Sequence, residues 1–173
     1  AITSVQAVYV PADDLDDPGA AAVMDHLDGR VILSRELAAA GLYPAVDPLR
    51  SWSRLMDPAV VGWGHYALAE DVRRALARYR ELEDVIAMLG LDDLAPEDRR
   101  TVVRARRLQR FLTQPFRVAE AFTGRKGVAV PLAEAMEGCR RILDGEFDGV
   151  SEDRLALIGG LADLDRLLKG AGP

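Results

Sequence analysis

Residues 66–90 read YALAEDVRRALARYRELEDVIAMLG. Apolar side chains recur every three or four positions, at Leu68, Val72, Leu76, Tyr79, Leu82, Ile86 and Leu89, the spacing that lines up one face of an α-helix. Gly90 supplies a C-terminal stop, so the stretch predicts a long amphipathic helix of about six turns. The next segment, LDDLAPED (91–98), turns the chain, with Pro96 suited to a first helical position and Glu97 and Asp98 complementing the positive end of the helix dipole. A second helix follows, apolar at Val102, Ala105, Leu108 and Leu112 and ended or kinked by Pro115. So short a connection makes the pair an antiparallel hairpin with an acidic tip. The opposite face carries Arg99, Arg100, Arg104, Arg106, Arg107 and Arg110, expected as a solvated face that pairs with Glu81, Glu83 and Asp84 of the adjacent helix. A third helix over 131–145 and a fourth over 151–169, the latter weakened or bent at Gly159 and Gly160, complete a small bundle.

The first 55 residues have another character. Short β-forming stretches, ITSVQAVYV (2–10) and RVILS (30–34), alternate with short helical ones, GAAAVMDHL (19–27) and RELAAAG (35–41), and a loop with Pro44 and Pro48 follows. Alternation of this kind points to an α/β layer with a parallel sheet. A buried strand needs neighbours, so residues 2–10 predict further strands in front of Ala1. The expected fold is mainly α: a C-terminal helical bundle over 56–173, preceded over 1–55 by an incomplete α/β, parallel-sheet remnant.

The chain has 173 residues, a formal net charge of −6, 49% hydrophobic and 29% charged residues, the balance of an ordinary globular domain. Its acidity argues against general nucleic-acid binding. No apolar run approaches the roughly 18–20 residues that span a bilayer, so any membrane association goes through a partner. Two histidines, His26 and His65, are too few and too far apart for a metal cluster, and Cys139 in apolar helical surroundings reads as a reduced core thiol. There is no nucleophile elbow and no glycine-rich phosphate loop, and the Gly-x-Gly of VGWGHY reads as turn chemistry. The run DDLDDP holds Asp13, Asp14, Asp16 and Asp17 without the loop and terminal glutamate of an EF-hand; a solvated acidic loop and a partner-binding one fit equally. Aromatic residues are only 6% of the chain, and three of them, Tyr43, Phe116 and Phe122, stand on irregular segments. Core packing explains them, and so does a stacking surface for a base.

The stretches SVQAVYVPADDL, HLD, LSRELAAAGLYPAVDPL, SRLMDP, HYALAEDV, RYRELEDVIAMLGLDDL, RARRLQRFLTQPFRVAEAFTG and RILDGEFD resemble, in this order and across essentially the whole chain, the beta subunit of the rotary F-type ATP synthase. The resemblance implies that residues 1–55 end a nucleotide-binding α/β domain and residues 56–173 form its C-terminal helical domain. It places the phosphate-binding loop, the glutamate that orients the attacking water and the magnesium-supporting aspartate before Ala1, so this chain carries no catalytic residue and no metal ligand. Tyr43 is expected to stack on adenine, with Phe116 and Phe122 enclosing it. The tip residues Asp92, Asp93, Leu94, Glu97 and Asp98, and the loop of Asp13, Asp14, Asp16 and Asp17, are expected to meet the rotating central stalk through screened, reversible contacts.

The same resemblance implies ATP or ADP with Mg in the intact subunit, alpha subunits and the central-stalk gamma subunit as partners, and a peripheral place on the cytoplasmic side of a bacterial inner membrane. No nucleic acid and no direct membrane insertion are implied, and the chain alone is expected to bind nucleotide feebly and to hydrolyse none. Arg54 and Tyr66 match a possible noncatalytic nucleotide interface. Trp52, Trp63 and Glu70 depart from the family's usual small, polar and arginine residues, as does a less acidic tip, which points to a divergent, additional-copy type of the complex in a bacterium. A standalone helical interaction module without nucleotide chemistry is the alternative reading.

Overall fold

A computed structural model describes residues 2–169 of the chain. Helix α4 (Trp63–Leu89) and helix α5 (Pro96–Phe111) form the hairpin expected from residues 66–112. Gly90 closes α4 at φ 94°, a left-handed conformation that a side chain would strain, and its N–H donates to the Ile86 carbonyl. Pro96 opens α5 where no backbone N–H is needed. Helix α7 (Leu132–Leu143) packs across both, and α8 (Leu161–Leu168) packs on α7.

The core is the shared stripe of these helices. Leu68 and Leu76 come from α4, Ala105, Leu108 and Phe111 from α5, and Cys139 and Ile142 from α7, closed by Phe147, Leu155 and Leu164. Each large apolar side chain buried here contributes about 1.5–3 kcal/mol. Gly138 sets how closely α5 and α7 approach, because a Cβ at that position would overlap the Phe111 ring.

The N-terminal third is held differently. Helices α1 (Pro18–Met24) and α2 (Arg35–Ala39) are capped by Asp17 and Ser34, and a short α3 (Pro58–Val61) by Asp57. Strand β1 (Gly29–Arg30) pairs antiparallel with β2 (Trp52–Ser53), in the register Gly29 to Ser53 and Arg30 to Trp52, and a single antiparallel bridge joins Leu33 to Val46. Among residues 2–55 only Ala20 and Asp47 are buried, so the bundle carries the apolar stabilisation. The mainly α architecture with a helical bundle is present, but among the described residues the pairing ahead of it is antiparallel, not parallel as expected. Residues 2–10 have no ladder partner among the described residues, and Ile2 is 98% exposed, because a strand forms only where a neighbour offers its own N–H and C=O groups.

The fourth helix also differs from expectation. Instead of one helix over 151–169, a 3₁₀ turn (Glu152–Leu155) is followed by a break and then α8. The break has its own uses for the backbone: Leu157 (φ 59°) donates its N–H to the Thr113 carbonyl, and the Gly159 carbonyl accepts from the Gln114 side chain. The Glu134 carboxylate accepts the Leu161 N–H that opens α8. These tertiary bonds replace the helical ones.

Candidate base-binding loop and acidic tip

Tyr43 lies on the crest of a loop that follows α2. Its hydroxyl donates to the Ala38 carbonyl at 3.2 Å, and its own carbonyl accepts the Gln114 N–H at 2.7 Å, just beyond the end of α5. This second bond brings Phe116 to Tyr43, with ring centroids 6.2 Å apart and ring planes at 77°, an edge-to-face pair. Tyr43 is 43% and Phe116 38% exposed, so the pair keeps apolar ring surface open to a planar partner. Phe122 stands on the short α6 (Glu120–Thr123), 91% exposed and outside this pair. Its loop is folded back on itself, since the Gly127 N–H donates to Glu120 and the Val128 N–H to the Pro115 carbonyl.

Arg54 and Tyr66 have separate partners. Arg54 bonds Asp28 at 2.7 Å, while Tyr66 meets Trp63 edge-to-face at 6.2 Å. In the first acidic loop, Asp17 caps α1, Asp14 accepts the Asp16 N–H and Asp13 pairs with Arg35 at 2.7 Å.

The hairpin tip divides into structural and free carboxylates. Arg78 of α4 reaches Asp98 of α5 through two 2.8 Å bonds, and this guanidinium holds the Asp98 carboxyl below its ordinary value. Asp92 pairs with Arg99 at 2.7 Å. Asp93 and Glu97 stay exposed, with Leu94 half-buried between them.

The arginine face of α5 does not meet Glu81, Glu83 or Asp84. It turns to the segment after α7: Arg104 binds Asp148 and the Leu143 carbonyl, Arg106 binds Glu152 at 2.6 Å, and Arg110 approaches Asp153 at 3.8 Å. Arg107 is only 8% exposed and donates to the carbonyls of Val103, Asp148 and Val150. A helix with neighbours on two sides has no fully solvated face. The cluster of carboxylates in LDGEFDGVSED (143–153) was the available signal.

Two features escape sequence reading. A cavity of about 260 Å³ opens between the loop after α2 and the hairpin, floored by Leu37, Leu49 and Leu76 and rimmed by Arg80, Arg106 and Arg110, each paired with a carboxylate. Asp47, buried beside it, accepts the N–H groups of Leu49 and Arg50 and pairs with Arg80. Cys139 lies in the core, where burial pushes its thiol up to about 12. Among the described residues no helix is long and apolar enough to cross a membrane, and no group of three or more His, Cys, Asp or Glu is placed to hold a metal ion.

The helical hairpin thus carries a half-exposed aromatic pair at one end and exposed carboxylates at the other, behind a short segment of mixed helix and strand. Residues 1–53 match the ATP synthase alpha/beta family, nucleotide-binding domain, and residues 56–156 match the C-terminal domain of V and A type ATP synthase. The chain belongs to this ATP synthase family and corresponds to the C-terminal part of a beta subunit. It is 57% identical over 161 residues to ATP synthase subunit beta 2 of Gluconobacter oxydans, covering 93% of this chain and 33% of that protein. It is 54% identical over all 173 residues to ATP synthase subunit beta 2 of Albidiferax ferrireducens, again 33% of that protein. The chain thus spans about a third of the length of these relatives.

Among solved structures, an ATP synthase subunit, NeqB, from Nanoarcheaum equitans shares the fold, with a TM-score of 0.64 at 23% identity over 78% of this chain and 33% of that one. The assembled ATPase EscN from the enteropathogenic E. coli type III secretion system aligns with a TM-score of 0.63 at 25% identity, over 79% of this chain and 31% of that one.

Proposed function

We propose that the chain supplies the adenine side of a catalytic nucleotide pocket, and the lever that answers a rotating stalk, in a rotary F-type ATP synthase. The observation that carries this reading is the Tyr43–Phe116 pair at the end of α5, because the same 16-residue helix begins at the acidic tip. By helical rise it is about 24 Å long, so one stiff element joins base slot and tip. Two half-exposed rings set edge-to-face offer an apolar slot that suits a purine, whose π-face stacks on either ring. Phe122 completes the enclosure once the loop of α6 closes toward the pair.

The phosphates and their Mg²⁺ fall to residues that this chain does not hold, and Mg²⁺ there neutralises phosphate charge. This chain's task is to hold and orient the base. Residues 1–55 close the nucleotide-binding domain and 56–173 form the lever domain, with Arg54 and Tyr66 facing a noncatalytic interface on a neighbouring alpha subunit. Asp93, Leu94 and Glu97, with Asp92 and Asp98 behind them, meet the gamma stalk, and the loop of Asp13, Asp14, Asp16 and Asp17 meets its coiled coil. The assembly works peripherally at the cytoplasmic face of a bacterial inner membrane, coupled to ion translocation through its partners. The test is nucleotide titration of the complete subunit: Tyr43→Ala weakens ADP binding by about 1–3 kcal/mol and Tyr43→Phe leaves it near wild type. Equal affinity in both variants would make Tyr43 a packing residue.

A further inference from the structure

Residues 43–51 are held by the hairpin at both ends. At the near end, the Tyr43 carbonyl accepts the Gln114 N–H beyond α5. At the far end, Arg73 of α4 donates to the carbonyls of Pro48 (2.8 Å), Ser51 (3.2 Å) and Leu49 (3.3 Å), with Glu70 3.9 Å from its Nε. Two helical turns along the same face, Arg80 pairs with Asp47 at 3.3 Å. Asp47 in turn fixes the turn through the N–H groups of Leu49 and Arg50, and its main-chain N–H donates to the Ile32 carbonyl. Leu49 packs against the bundle core. A guanidinium fork spread over three carbonyls is a directional, charge-assisted restraint that a point charge cannot copy.

We propose that Arg73 and Asp47 are positioning residues, which strap segment 43–51 to α4 so that Tyr43 and Phe116 travel with the helical hairpin as one body. A displacement of the tip then carries the aromatic pair with it and does not open the pair. The consequence for a nucleotide rests on the base slot proposed above, whereas the strapping does not.

Amide hydrogen exchange on the full chain, without nucleotide, tests it. In Arg73→Met, exchange at Leu49, Arg50 and Ser51 should rise about tenfold, as expected when charge-assisted bonds are lost. Exchange at Gln114 should rise at least about threefold with them, while the Val102 and Leu108 amides of α5 stay within about twofold. Arg73→Lys should fall between Arg73→Met and wild type, because one ammonium cannot span three carbonyls. If Arg73→Met loosens the whole bundle, Asp47→Asn, which keeps a side-chain oxygen for the turn and weakens the Arg80 pair, should raise exchange in 47–51 and at Gln114 only. Faster exchange at 49–51 with Gln114 unchanged would overturn the proposal, as would no change anywhere. Because no nucleotide is present, either failure is separate from failure of Tyr43→Ala to weaken ADP binding.

Discussion

Replacing Arg107 by methionine removes a buried guanidinium and keeps most of its stem. In the folded chain Arg107 donates to Val150 O at 2.7 and 3.0 Å, to Asp148 O at 2.9 Å and to Val103 O at 3.1 Å. The Val103 carbonyl lies in α5 and retains a helical bond, so two carbonyls lose their partner. Each charge-assisted bond contributes about 1.5–3 kcal/mol, and the new apolar side chain offsets about 1 kcal/mol of the loss. The net cost should be about 2–5 kcal/mol, a large share of the roughly 5–15 kcal/mol that holds a domain together. Urea unfolding of the full chain, followed by circular dichroism, measures it. Arg107→Lys should cost less, because an ammonium still reaches one carbonyl. Arg100→Met, exposed on the same helix, should stay within about 0.5 kcal/mol. Were Arg107→Met as mild as Arg100→Met, the Asp148 and Val150 carbonyls would be satisfied by water and the buried clamp would be a misreading.

Three further outcomes follow from the same packing. Gly138→Ala should destabilise the chain by about 1–3 kcal/mol in thermal or urea melts, since its methyl overlaps the Phe111 ring and α5 and α7 must part. Arg78 and Arg141 hold the Asp98 and Glu146 carboxyls below their ordinary values. Their contribution is therefore complete above the unfolded carboxylate range of about 4 and is lost as pH falls through the lower folded values; Asp98→Asn should flatten an acid melt series in that window. Cys139, with its thiol raised to about 12, should resist alkylation at pH 8 in the native chain and react at once in denaturant.

The hairpin was legible because its period is long and its punctuation local. Leu68, Leu76, Leu82, Val102 and Leu108 are buried as their spacing predicts, and Gly90 and Pro96 mark the turn. What failed depends on neighbours. Ile2, Val5 and Val8 have strand propensity, but propensity does not create a ladder. Leu155, Ile158 and Leu161 keep an apolar rhythm across the break before α8, yet Thr113 and Gln114 compete for the backbone there. Arg107 looked solvated beside Arg106 because a run of charge does not reveal which loop will cover it. Tyr43 and Phe116 stand 73 positions apart and meet edge-to-face, and neither that pairing nor the grip of Arg73 on three carbonyls leaves a trace in side-chain spacing.

On the proposed function, the tip of this chain is a lever end facing a rotating stalk. In the intact assembly, Asp93→Cys, at an exposed position that takes no part in the Arg78–Asp98 and Arg99–Asp92 pairs, should form a disulfide with cysteines placed along the gamma stalk. Its yield should change with the nucleotide bound. Absence of crosslinking at every stalk position tried, in an assembly that still turns over ATP, would contradict the claim.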